Sequence, residues 1–201
     1  MTLNKIIFGL SFYLIMGSSV FSQQQEEIGN FRFDKTERTV SWVNVFEPEQ
    51  DIDFNSLKTY FSENGIINII SEDSSSFKGE FEKRPIDNQK YGYSRGRTPM
   101  VLIDVEQIFD VSIEFKEGRY RAILTNLGYI DDGVMSDLIN RSLVGQTSTT
   151  SKGNIESYNG DFSFKKNNKV RNNLSSILEL LDKFYIDMLT FKTVQNLDED
   201  W

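Results

Sequence analysis

Two short segments hold most of the side chains in this sequence that could do recognition chemistry. Tyr91-Gly92-Tyr93-Ser94-Arg95-Gly96-Arg97 sets two phenols and two guanidinium groups among glycines. Tyr and Arg dominate binding hot spots, and Gly lets a loop adapt to a surface. The plainer reading is a strand connection in which Gly supplies the backbone angles of a turn. Lys116 and Arg119 flank Glu117-Gly118. A chain that folds back at that dipeptide brings the two cations side by side, where an acidic group such as a glycan, a peptide C-terminus or a lipid headgroup would be attracted. A solvated tip balanced by Glu117 is the alternative, since isolated surface ion pairs contribute little.

Catalytic and metal chemistry find little support. The chain has no His and no Cys, which removes Ser-His-Asp and Cys-His nucleophilic catalysis, thiolate metal sites and disulfides. Asp131-Asp132-Gly133 and Glu72-Asp73 offer hard oxygen ligands without the spacing of a calcium loop. Arg95-Gly96-Arg97 matches no glycine-rich phosphate motif. We assign no catalytic residue, no metal and no cofactor; a hydrolase built on Asp or Glu is the less favoured alternative. With 22 basic against 30 acidic side chains, the chain repels phosphate backbones, so no nucleic-acid partner is expected.

The beginning of the chain reads as an address. Lys5, the apolar run Ile6 to Met16 and the small residues before Gln23 form the pattern of a secretory signal peptide spanning 1–22, with cleavage after Ser22. The apolar run is too short to span a bilayer, which takes roughly 20 apolar residues. Without a Cys there is no acceptor for a lipid anchor. The expected location is therefore periplasmic or extracellular, with no membrane span after signal removal and an unknown envelope or extracellular partner.

The elements that must carry these segments follow from hydrophobic periodicity. Residues 23–38 are polar and read as a flexible lead-in. Thr39 to Phe46 is a strand apolar on both sides. Asp53 caps a helix over Phe54 to Phe61 that stops at Gly65. Ile66 to Ile70 pairs with the strand Phe77 to Phe81 as a hairpin, Pro85 to Pro99 is a loop, and Met100 to Val105 enters another strand. From Ile108 the alternation is regular, and a two-residue loop at Glu117-Gly118 places Phe115 opposite Tyr120, Ile113 opposite Ala122 and Val111 opposite Leu124. Glu114 then meets Arg121 on the other face, and a one-residue slip would bury the arginines, so the register is strongly specified. A loop-rich insertion follows at about 131–172, with a short helix over Val134 to Leu143 inside it. A long helix near Leu174 to Phe191, capped by Asn172 or Asn173, carries one apolar stripe that must lie on something. The single domain spans 39–195, and 196–201 is a tail.

The segments Val40 to Phe46, Phe54 to Phe61, Phe77-Lys78-Gly79 and, above all, Phe115-Lys116-Glu117-Gly118-Arg119-Tyr120-Arg121 with Thr125-Asn126 resemble a family of exported bacterial domains of unknown function, common in Bacteroidetes, whose fold is similar to the TATA-binding protein. The resemblance implies an α+β architecture: a curved antiparallel sheet of about five strands with helices packed on one face. It supplies no catalytic or ligand residues. The expectation is an exported, non-catalytic binding or envelope-associated module, alternatively a subunit of a larger cell-surface assembly. Tyr91, Tyr93, Arg95, Arg97, Lys116 and Arg119 are its candidate binding residues.

Overall fold

The computed structural model describes residues 25–103, 105–131 and 155–192; the leader, the helix expected over Val134 to Leu143 and the tail lie outside them. Nine strands form one antiparallel sheet among the described residues: β1 (Gln25–Ile28), β2 (Phe31–Asp34), β3 (Thr39–Phe46), β4 (Ile67–Glu72), β5 (Ser76–Phe81), β6 (Arg84–Pro85), β7 (Glu106–Lys116), β8 (Arg119–Asp131) and β9 (Ile155–Tyr158). The helices are α1 (Phe54–Glu63), α2 (Asn159–Ser163) and α3 (Ser175–Leu189). The main path runs β1-β2-β3-β8-β7-β5-β4, with β6 paired to β7 and β9 to β8.

The β7–β8 hairpin has the register that the alternation demands: Phe115 pairs with Tyr120, Glu114 with Arg121, Ile113 with Ala122 and Val111 with Leu124. Glu117 and Gly118 both have positive φ, 52° and 77°. That is the primed turn whose twist matches the strands it joins. Val111, Ile113, Tyr120, Ala122 and Leu124 are all buried.

Rings from both main helices meet this same face. Phe61 of α1 lies 6.2 Å from Phe77 and 6.1 Å from Tyr120. On α3, Tyr185 lies 5.6 Å from Trp42 and 5.1 Å from Phe109, and Phe184 lies 5.9 Å from Phe81. Asp53 caps α1 by accepting from the Ser56 amide at 2.8 Å, which satisfies one of the unpaired donors of the first turn. The N-cap of α3 is Leu174, without a side-chain bond, and neither Asn172 nor Asn173 fills that role.

Four further expectations need correction. The sheet has more than five strands because the presumed lead-in is ordered: Phe31 and Phe33 alternate with Arg32 and Asp34, and both rings are buried. Their partners, Tyr185 at 6.2 Å and Phe164 at 6.1 Å, come from the other end of the chain. The described part of the presumed insertion is also structured, since β9 and α2 fall within it and Phe164 bridges Val170. Met100–Leu102 is a single 3-10 turn, and the strand begins only at Glu106. Finally, α3 stops at Leu189, with Phe191 beyond its C-cap Thr190.

Candidate functional site

Among the described residues the opposite face of the sheet carries no helix ring contacts of this kind, and its side chains fall into rows fixed by the register. The first row, at the hairpin tip, is Lys116 beside Arg119. The second is Ser76, Glu114, Arg121 and Val45; the third is Lys78, Ser112, Ile123 and Val43; the fourth is Glu80, Asp110 and Thr125. Successive rows are two residues apart, because only alternate side chains share a face.

An open trough of about 750 Å³ runs over β4, β5, β7 and β8 on this face. Its lining mixes small residues, Ser71, Ser76, Gly79 and Ser112, with Ile70 and Ile123 and with the charged Asp73, Lys78, Glu80, Asp110 and Glu114. Ile70 is 65% exposed and sits at the irregularity where the β4–β5 register shifts. Val45, on β3, is 51% exposed. A bulged edge strand and an exposed isoleucine beside small residues make a depression that a ligand's side chains can enter.

Charge on this face is polarised. Lys116 and Arg119 hold the tip and Glu80 and Asp110 sit opposite one another at the far end, with the Glu114–Arg121 pair and Lys78 between them. Arg121 donates to Glu114 through both Nε, at 2.9 Å, and Nη2. Arg119 approaches Glu47 at 3.9 Å. Asp110 accepts from the Asn126 amide at 2.6 Å, and Asn126 holds a left-handed φ of 51° beside the irregularity in the β7–β8 ladder. Glu80 and Asp110 have no ion-pair partner among the described residues.

The loop candidates lie elsewhere and divide by role. The Tyr91 hydroxyl donates to Asp187 of α3 at 2.9 Å, and its ring stands edge-on to Phe184 at 6.4 Å. Burial, and then this bond to a carboxylate, push the Tyr91 phenol well above its ordinary range. The Lys183 ammonium sits 5.6 Å from the centre of the Tyr93 ring; burial and the neighbouring Glu179 raise that phenol too. Both tyrosines are therefore turned onto α3 as anchors. Arg95 and Arg97 are exposed in the turn beyond them, where the Arg97 amide donates to Ser94. The loop contacts α3, whereas Arg119 reaches Glu47 just past β3, so the six candidates do not form one site. Lys116 and Arg119 lie one row beyond the Glu114 end of the trough.

Asp187 gathers three donors: Lys90 Nζ at 2.5 Å, Lys192 Nζ at 2.8 Å and Tyr91. Burial works to raise its carboxyl, but bonds from Lys192, Lys90 and Tyr91 outweigh burial and bring it down to about 2. The cluster fastens the loop and the segment after α3 to the helix.

The trough escaped the sequence reading. Alternation in β5, β7 and β8 marks which residues face out, but their assembly into one surface depends on the strand order. Among the described residues no group of three or more acidic side chains is arranged to hold a metal ion, and no helix is long and apolar enough to cross a membrane.

No family model and no curated protein matches the chain. Among solved structures it is similar to a TBP-like protein from Parabacteroides distasonis ATCC 8503, at 12% sequence identity and a TM-score of 0.41, over 75% of this chain and 90% of that one.

Proposed function

We propose that this chain is an exported, non-catalytic binding module of the cell envelope whose ligand engages the open sheet face. The architecture in this reading is the TATA-binding-protein-like one: helices on one face of a curved sheet, the other face left for recognition. The observation that carries it is the trough over β4, β5, β7 and β8, with Ile70 exposed at its side. A concave surface mixing apolar and polar groups is the usual form of a ligand site. Export rests on the leader ending at Ser22, and an acidic exported chain has no use for the nucleic-acid chemistry that the fold otherwise suggests.

Glu80 and Asp110 are the pair on which a hydrolase reading would depend. A carboxyl pair divides into acid and base when distinct environments force the two apart. These two share one open trough, which favours recognition over turnover. The exposed Val45 and Ile70 also suit the alternative of a subunit in a surface assembly, through the same face.

The test is amide chemical-shift mapping of the secreted protein during titration with fractionated envelope glycans, lipids and peptides. Shifts should centre on Ser112, Ile123 and Lys78. Shifts confined to residues 91–97 or to α3, or none with any fraction, overturn the reading. Sequencing the secreted protein should find Gln23 at its N-terminus; a retained leader removes the export argument.

A further inference from the structure

We infer that the occupant of the trough is an extended polypeptide segment with an acidic residue at one end, a basic residue at the other and small or β-branched residues between. This rests on the open face being the binding surface and specifies the chemistry of what binds there.

The argument is charge complementarity along the strands. Lys116 and Arg119 stand at one end of β7 and β8, and Glu80 opposite Asp110 stands three rows away. Six residues of β7 separate Lys116 from Asp110, about 20 Å at ~3.4 Å per residue, which is the reach of an extended segment of about six residues. Between the ends, Arg121 is already satisfied by Glu114, Ser76, Gly79 and Ser112 line the trough together with Ile70 and Ile123, and Lys78 stands opposite Ser112. Short side chains, apolar or hydroxyl-bearing, fit there.

A polymer that complements both ends must carry both signs. Nucleic acids, acidic glycans and anionic lipid surfaces meet Lys116 and Arg119 but are repelled at Glu80 and Asp110. The four rows also contain no aromatic ring on which a sugar or base would stack. The rings on the neighbouring inward positions of these strands, Trp42, Phe77, Phe109 and Tyr120, are buried on the other face. Polypeptide meets these requirements with ordinary residues.

The experiment uses the secreted full-length chain and fluorescently labelled, end-capped hexapeptides read by anisotropy. The probes are Glu-Thr-Val-Ile-Ser-Lys, its reversed sequence Lys-Ser-Ile-Val-Thr-Glu, and versions with Glu at both ends or Lys at both ends. One of the two mixed-sign directions should bind at least roughly tenfold more tightly than either same-sign peptide. Lys116→Glu with Arg119→Glu, and separately Glu80→Lys with Asp110→Lys, should each weaken that binding by roughly tenfold. All four changes together should restore binding to the same backbone direction with its terminal Glu and Lys exchanged. Circular dichroism checks that each variant is folded; should the fourfold variant fail to fold, Lys116→Glu alone, on the exposed hairpin, should still weaken binding. Equal affinity for mixed-sign and same-sign peptides, affinity indifferent to the reversals, or no peptide binding at millimolar concentration overturns the proposal. An acidic oligosaccharide that shifts Ser112 and Ile123 where no peptide does also overturns it, while leaving the open face as the binding surface.

Discussion

The indole Nε1 of Trp42 donates to Oδ1 of Asp182 at 2.7 Å. The bond joins the middle of β3 to the middle of α3, and Asn30 of the β1–β2 turn donates to the same oxygen at 2.9 Å. One carboxylate thus ties the N-terminal strands, the central sheet and the closing helix together. Trp42 is fully buried, so its N–H has no recourse to water if the acceptor is lost.

Asp182→Ala should cost about 2–3 kcal/mol of stability, because it strands a buried donor. Asp182→Asn, which keeps an acceptor, should cost about half as much or less. Urea unfolding measures both, and equal losses would show that charge, rather than the acceptor, matters at this position.

The division of the loop into anchors and exposed tips has its own test. Tyr91→Phe removes the bond to Asp187 and should lower stability by about 1–2 kcal/mol, in the range for a hydrogen bond to a charged group. Arg97→Ala, at an exposed turn position, should fall within about 0.5 kcal/mol of the parent. Thermal melts of the two variants decide; a larger loss from Arg97→Ala would reverse the assignment.

Asp187 makes stability depend on pH in the acid range. Its carboxyl is depressed in the folded state to about 2, below the 3.8 of the unperturbed group. Its contribution is therefore complete above the unfolded value and is lost as pH falls from about 4 toward 2. Roughly 1–2 kcal/mol should disappear over that window in the parent, after allowing for partial exposure. Asp187→Asn should flatten that part of the profile, as followed by urea midpoints at stepped pH; a profile of unchanged slope would refute the assignment.

Gly79 answers to a steric requirement. A Cβ there would come within 2.2 Å of the Asn68 carbonyl oxygen and 2.7 Å of the Ile67 side chain. Backbone cannot yield as a flexible side chain does, so Gly79→Ala should push β4 away from β5 and cost about 2 kcal/mol or more, in the range for overpacking a close-fitted site. Hydrogen exchange should report faster opening of β4 amides than of β7 amides; uniform acceleration would mean that the strain spreads through the sheet.

What was legible in the sequence was local. The β7–β8 register follows from strict alternation and a two-residue turn, because a slip would bury Arg119 and Arg121. The cap at Asp53 and the apolar stripe of α3 likewise depend on neighbours within one or two turns of helix. Segments too short to hold themselves were not legible. Gln25–Ile28, Phe31–Asp34 and Ile155–Tyr158 are four-residue strands, and an isolated short hairpin is marginal in water. They are strands because β3 and β8 offer unpaired edges and because Phe31 and Phe33 find Tyr185 and Phe164.

The sequence by itself determined which residues of each long strand point the same way, since the period of two is a property of the backbone. Only the tertiary structure decided that Tyr91 and Tyr93 would pack on α3, and that Lys116, Ser112, Ile123, Glu80 and Asp110 would share one open surface. Those outcomes depend on strand order and on contacts between residues more than a hundred positions apart, such as Trp42 with Asp182, and no local periodicity encodes them.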